Sequence, residues 1–263
     1  MGVRPTKPTL VDQNFKKVSK TVERFIVSYV SKSAAKGLVI GLSGGLDSAV
    51  VLKLSVNALG PSKVLGLLLP SEMTPREDIE HAIDHAKSIG IRYQIIDINP
   101  LLGKFAEVLP EDKIARGNLM ARIRMSILYY YAAINGYLVA GTSDKSEIQT
   151  GYFTKFGDGA ADILPIADLY KTQVRGLGKY LDIPAVILQK KSSPRLWIDH
   201  LAEEELGMDY ETIDPILSML VEKKVKPEQV AKKLSVSINE VRKIRHMMEK
   251  NAHKRKMPPI AYL

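Results

Sequence analysis

The chain has 263 residues, 38 Lys and Arg against 29 Asp and Glu for a formal charge of +9, and no cysteine. The missing cysteine excludes a disulfide framework, a zinc–thiolate site, an iron–sulfur cluster and a cysteine nucleophile, while 45% hydrophobic and 25% charged residues exclude a disordered chain. The positive balance favours an anionic partner: nucleic acid, an anionic membrane surface or a phosphorylated small molecule.

No signal peptide and no apolar run long enough for a membrane span is visible, so a soluble, cytoplasmic protein is expected. The opening MGVRPT fits the Met-Gly-x-x-x-Ser/Thr myristoylation pattern, which is too short to outweigh that expectation.

Phe15, Val18, Val22, Phe25, Tyr29 and Val30 recur at three- and four-residue steps and predict an amphipathic helix. The period then changes. Leu38 to Leu42 is a short apolar run broken by Ser43-Gly44-Gly45, and helical spacing resumes from Ala49 to the stop at Gly60-Pro61. A second such unit follows: a strand over Val64 to Leu69, then a helix with Thr74 as N-cap and Pro75 at its first position, running to about Ile89. A third strand is expected over Tyr93 to Ile98, then a loop through Pro110, a helix over 119–134 and a fourth strand over Tyr137 to Ala140. Strands at this spacing, without period-two alternation, predict an α/β fold with a parallel sheet covered by helices on both faces. Residues 150–168 are broken by Gly and Asp and predict a long functional loop. A helix from about Asp168 to Leu181 and a charged helical extension over roughly 200–252 complete the chain.

The strongest local signal is Gly41-Leu42-Ser43-Gly44-Gly45-Leu46-Asp47-Ser48, at the carboxyl end of a strand and the start of a helix. Backbone N–H groups and the helix dipole at such a junction hold phosphate, and paired glycines allow close approach. No Lys-Ser/Thr follows, so this is not a Walker A loop, and its glycine spacing is not the dinucleotide fingerprint. Asp47 would repel phosphate without a cation between them, which points to Mg²⁺ bridging to the phosphates of ATP; the plainer reading is a helix cap.

This turn resembles the pyrophosphate loop of the N-type ATP pyrophosphatases, which share the Rossmann-like adenine nucleotide alpha hydrolase fold. Three further stretches narrow the resemblance: NLMARIR at 118–124, GTSDKSE at 141–147 and TGYFTKFGDGAADILPIADLYKTQ at 150–173. With the turn they are similar to the ammonia-dependent NAD synthetases, in order over about residues 37–198 and again at a C-terminal His-Lys.

The resemblance implies ATP-dependent amidation of deamido-NAD by ammonia, through an adenylylated nicotinate carboxylate, with AMP and pyrophosphate released. It assigns Thr142, Lys171 and Ser193, beside residues 41–48, to ATP, and Asp47 and Glu147 to Mg²⁺. Arg122, Lys155, Asp162, His253 and Lys254 would contact deamido-NAD. Lys171 would stabilise charge at the α-phosphate, and Asp158 would position the loop or the ammonia. Arg124 lies two positions beyond Arg122, so on a helix only one of the two should face the substrate.

Around Ser193-Pro194-Arg195-Leu196-Trp197 the chain departs from the family pattern. The family also implies a homodimer, with a synthetase core over 1–200, a helical lobe of the same domain over 201–263, and no appended glutaminase. Residues 226–250 admit a competing reading as a helix-turn-helix that binds nucleic acid, with Arg242, Lys243 and Arg245 on its second helix. A packed helical hairpin accounts for the same residues. A second ligase reading is a transfer-RNA-modifying enzyme of the same superfamily.

Overall fold

The structure, a computed structural model, describes residues 13–197 and 200–261. The MGVRPT segment lies outside the described residues. Helix α1 (Phe15–Lys32) precedes strand β1 (Leu38–Gly41), helix α2 (Leu46–Leu59), β2 (Val64–Leu68), α3 (Arg76–Ile89), β3 (Arg92–Ile95), α4 (Asn99–Ala106), α5 (Lys113–Asn135) and β4 (Leu138–Ala140). The short α6 (Lys145–Thr150) leads into an irregular stretch before α7 (Lys171–Tyr180) and α8 (Ala185–Leu188). The tail is α9 (Ala202–Leu206), α10 (Tyr210–Leu217), α11 (Pro227–Leu234) and α12 (Ile238–Lys250).

The four strands pair in parallel in the order β3-β2-β1-β4. Successive strand residues point to opposite faces, and the sequence exploits this. Leu38 and Ile40 of β1, with Val64 and Leu68 of β2, enter a core shared with α1, α2, α3 and α7. Val39, Leu65 and Leu67 enter a second core with α4 and α5. Each fully buried Leu or Val is worth roughly 1.5–3 kcal/mol by area, so both faces are driven to be covered. Gly66 leaves the space that Leu42 fills: a Cβ there would lie 2.5 Å from Leu42 Cδ1.

Three local expectations change. Helix α4 occupies part of the expected loop, because Pro100 in its first turn starts a helix and Leu102 anchors it in the second core. Strand β3 is an edge strand with mostly exposed residues, not one buried on both faces. Pro75, not Thr74, is the N-cap of α3 and makes no side-chain cap; Thr74 Oγ1 instead accepts the Ser71 N–H at 3.0 Å.

The helical tail builds a third core from Ile213, Ile216, Leu217, Val230, Val241 and Ile244, joined by Tyr170 from before α7. Val230, Val241 and Ile244 of the 226–250 segment, with Leu234 and Val236 packed against them, are therefore spent on packing, as the hairpin reading has it. Among the described residues no helix is long and apolar enough to cross a membrane.

Candidate active site

Reversal of strand direction of travel across the sheet occurs between β1 and β4, whose carboxyl ends carry Gly41 and Gly141. In open parallel sheets the crevice at this switch point is where ligands sit. Here it opens into a cavity of about 490 Å³.

The turn after β1 is held by its own hydroxyls. Ser48 Oγ lies 3.1 Å from Ser43 Oγ and donates to the Gly45 carbonyl at 3.0 Å, while the Gly45 N–H donates to Ser43 Oγ at 3.2 Å. Gly44 adopts φ +73°, and a Cβ there would lie 2.0 Å from the Asp78 carbonyl oxygen, so only glycine lets the turn pack on α3. Gly45 caps α2 without a side-chain bond, which leaves the first N–H groups of a 14-residue helix directed at the cavity.

Beside this turn is a buried charge cluster. Lys171 Nζ lies 2.7 Å from Asp47 Oδ2, 2.9 Å from Asp144 Oδ2 and 2.8 Å from Glu147 Oε1, with 1% of its side chain exposed. Burial alone would lower the lysine's pKa, but Asp144, Asp47 and Glu147 outweigh it and hold the ammonium well above its ordinary range. Burial pushes Glu147 up to about 8, with Asp144 and Asp47 adding to the rise and Lys171 opposing it. Burial likewise raises Asp144, with Asp47 adding to the rise, so three carboxyl groups crowded on one ammonium resist ionising together.

The local chain explains the cluster. Asp144 is the N-cap of α6, in a reciprocal capping box with Glu147, so the end of β4 delivers both carboxylates at once. Lys171 opens α7, its N–H donating to Ser146 Oγ at 2.9 Å; that hydroxyl in turn donates to Asp214 of α10 at 2.5 Å.

Of the residues expected from sequence, Gly41, Leu42, Ser43, Gly45, Leu46, Asp47, Thr142, Glu147, Asp158, Ser193 and Lys254 line the cavity. Gly44 and Ser48 stand behind it as supports of the turn. Lys171 is not on the wall; it sits behind Asp47 and Glu147, because an ammonium so deeply buried needs its carboxylates around it. Asp158 Oδ1 accepts the Thr154 N–H at 2.9 Å, and burial raises its carboxyl above the usual range despite that bond.

The expected deamido-NAD group divides. Lys254 reaches the cavity and donates to the Gly151 and Phe153 carbonyls at 2.7 and 2.8 Å, and Lys155 Nζ meets the His253 carbonyl at 3.1 Å. Arg122 is exposed on the outer side of α5, 3.3 Å from the Lys155 carbonyl. Asp162 staples the loop to β4 through the Val139 N–H at 2.7 Å. Arg122, Lys155, Asp162 and His253 all lie off the cavity wall.

Sequence reasoning missed Arg124, Asp144, Asp78, Lys190 and the group Tyr152, His200 and Glu205. Arg124 lines the cavity and donates to the Leu69 carbonyl at 2.9 Å. Helical phase could have found it, since it lies one turn from the buried Ala121 and Leu128, whereas Arg122 lies on the opposite side. The Asp-x-x-Glu pattern at 144–147 is the signal for Asp144. His200 Nε2 lies 2.6 Å from Glu205 Oε2, which also accepts the Tyr152 hydroxyl at 2.7 Å, and the His200 ring stacks on Trp197 at 3.4 Å. No local signal marks that group, which joins the glycine-rich loop to α9 across some fifty positions of chain.

The NAD synthase family model matches residues 18–258. The NH(3)-dependent NAD(+) synthetase of Hyperthermus butylicus is 48% identical over 260 residues, covering 98% of this chain and 94% of that protein. Among solved structures, NMN synthetase from Francisella tularensis superposes with a TM-score of 0.86 at 35% identity, over 96% of this chain and all of that one. NH3-dependent NAD synthetase from Campylobacter jejuni gives 0.82 at 33% identity, over 95% of this chain and all of that one.

Proposed function

The chain belongs to the NAD synthase family, and we propose that it is a ligase that makes NAD from deamido-NAD, ATP and ammonia. The observation that carries this reading is the juxtaposition, at the sheet's switch point, of a glycine turn built for phosphate with two cavity-facing carboxylates held on one buried lysine.

The donor set suits a hard divalent cation. Asp47 Oδ1 is buried without a hydrogen-bond partner, and Asp47 and Glu147 both face the cavity. Two carboxylates leave the remaining positions to phosphate oxygens and water, as Mg²⁺ prefers. When bound there, Mg²⁺ would neutralise the triphosphate beside Asp47 and make pyrophosphate a better leaving group.

The chain's own residues do the rest. Ser43, Gly45 and the α2 N-terminus bind the phosphates, with Thr142 and Ser193 on the facing walls. Lys171 orients Asp47 and Glu147 from behind through its 2.7 and 2.8 Å contacts. The nicotinate carboxylate attacks the α-phosphorus, pyrophosphate departs, and ammonia then displaces AMP at the activated carbonyl. Asp158, on the wall and raised in pKa, is suited to accept a proton from ammonium before that attack.

Arg122, Lys155 and Asp162 lie off the cavity, Arg122 on and Asp162 against helix α5, which also leaves Tyr130 and Ile134 exposed at 66 and 62%. A second copy of the chain packed on this face would bury these apolar groups and complete the dinucleotide site.

A mass-spectrometric end-point assay with ATP, Mg²⁺, ammonium and deamido-NAD tests the reading: NAD, AMP and pyrophosphate should appear in equal amounts. A parallel arm with nicotinate mononucleotide is prompted by the Francisella neighbour, and amidation there alone would replace the dinucleotide reading. No amide in either arm would end the proposal.

A further inference from the structure

Beside the glycine turn, the loop after α8 brings two cations to the cavity, and one buried carboxylate holds both. Asp78, in the first turn of α3, is 3% exposed. Its Oδ1 lies 2.6 Å from Lys190 Nζ and its Oδ2 lies 2.8 Å from Arg195 Nε. Lys190 Nζ also donates to the Gly44 carbonyl at 3.0 Å, and the Asp78 carbonyl is the atom that a Gly44 Cβ would strike. The phosphate turn, α3 and the 190–195 loop thus converge on a single residue.

The geometry points to Asp78 as a positioning residue that aims Lys190 and Arg195 at the phosphates of ATP. Both cations retain capacity for an anion. Lys190 has three N–H donors and uses two. Arg195 uses Nε alone, and its two Nη groups have no protein partner among the described residues. Both residues, with Asp78 itself, line the cavity, and their side chains are 15% and 28% exposed. Arg195 sits at φ +52°, a conformation that L residues avoid, and its side-chain bond to Asp78 is available to hold it there.

A carboxylate next to a phosphate site works against anion binding by simple electrostatics. Positioning makes the opposite prediction, which separates the two roles. This inference rests on the reading of the site as an ATP site, so its test is ATP affinity, measured calorimetrically in the whole chain, beside the kinetics of amidation.

Asp78→Asn keeps the shape and removes the charge. We expect ATP affinity to fall about tenfold, and KM for ATP to rise in step, with kcat within about threefold and KM for ammonium unchanged. Lys190→Met and Arg195→Gln should each weaken ATP binding, and combining either with Asp78→Asn should cost less than the sum, because the residues act as one unit. Equal or tighter ATP binding in Asp78→Asn would overturn the inference. So would a parallel loss of ATP affinity, ammonium KM and melting temperature, the pattern of a merely structural residue. If Asp78→Asn does not fold, unchanged ATP affinity in both Lys190→Met and Arg195→Gln overturns it equally. A wild-type chain that binds ATP but amidates neither nicotinate substrate would end the proposed function while leaving this test intact.

Discussion

Lys171 Nζ and Asp144 Oδ2 lie 2.9 Å apart with 1% and 0% of their side chains exposed, and neither is on the cavity wall. The pair forms the floor on which the exposed-edge carboxylates Asp47 and Glu147 rest. Removing one member of a buried pair leaves the other uncompensated, at a cost of about 3–5 kcal/mol. Lys171→Met should therefore lower unfolding free energy by that order and abolish amidation, as read by denaturant titration and by NAD formation. A Lys171→Met chain of native stability would show that the carboxylates do not depend on the ammonium.

Asp47→Asn separates metal chemistry from folding. Asp47 is partly exposed and makes one ion pair, so the variant should melt within a few degrees of the parent. Turnover should fall at least about a hundredfold, the scale of a lost electrostatic stabiliser of the transition state, and should not recover at high Mg²⁺. Retained turnover that still saturates with Mg²⁺ would place the cation elsewhere.

Glycine substitutions should sort by what a Cβ meets. Gly44→Ala combines φ +73° with a 2.0 Å collision against the Asp78 backbone, and should cost about 1–3 kcal/mol together with ATP affinity. Gly60→Ala, at φ +82° and ψ 157° with nothing within 4 Å, should cost about 1–3 kcal/mol of backbone strain but leave ATP binding intact. Equal effects on ATP binding from both would show that the close approach to α3 is not what the turn requires.

Glu23 gives stability a pH dependence away from the site. Burial works against its ionisation, but bonds from Lys20 Nζ at 2.7 Å, Ser19 Oγ at 2.8 Å and Asn57 Nδ2 at 3.4 Å outweigh it and hold the carboxyl below the ordinary glutamate value of 4.5. With the folded value below the unfolded one, the contribution is present above about pH 4.5 and fades as pH falls through the folded value. Glu23→Gln should lower the melting temperature at pH 7, a loss of roughly 1 kcal/mol, and the gap to the parent should narrow steadily as pH falls below the ordinary glutamate value of 4.5. A gap that stays constant as the pH is lowered would remove the carboxylate as its cause.

Tyr130 and Ile134 test the two-copy site. Tyr130→Lys with Ile134→Asp should shift the sedimentation profile toward a single chain and raise KM for deamido-NAD more than KM for ATP. A parent that sediments as one chain at assay concentration, with full activity, would remove the partner from the proposal.

The sequence alone determined the alternation of strands and helices, the parallel sheet and the glycine turn, because periodicity, capping and turn chemistry act over a few residues. Residues 41–48 were legible for the same reason, since a strand end and a helix start place their own side chains, whereas Thr142 and Glu147 in the 141–147 stretch were picked out through the family resemblance. What only tertiary structure decided are relations across long separations. Lys171 meets Asp47 across 124 positions and Lys190 meets Asp78 across 112. The placement of Lys171 behind the carboxylates, of Arg124 rather than Arg122 on the wall, and of the edge strand β3 depends on which face each element turns to its neighbours. Ion pairing of this kind leaves no trace in local spacing, since the energy that selects it exists only after burial has brought the partners together.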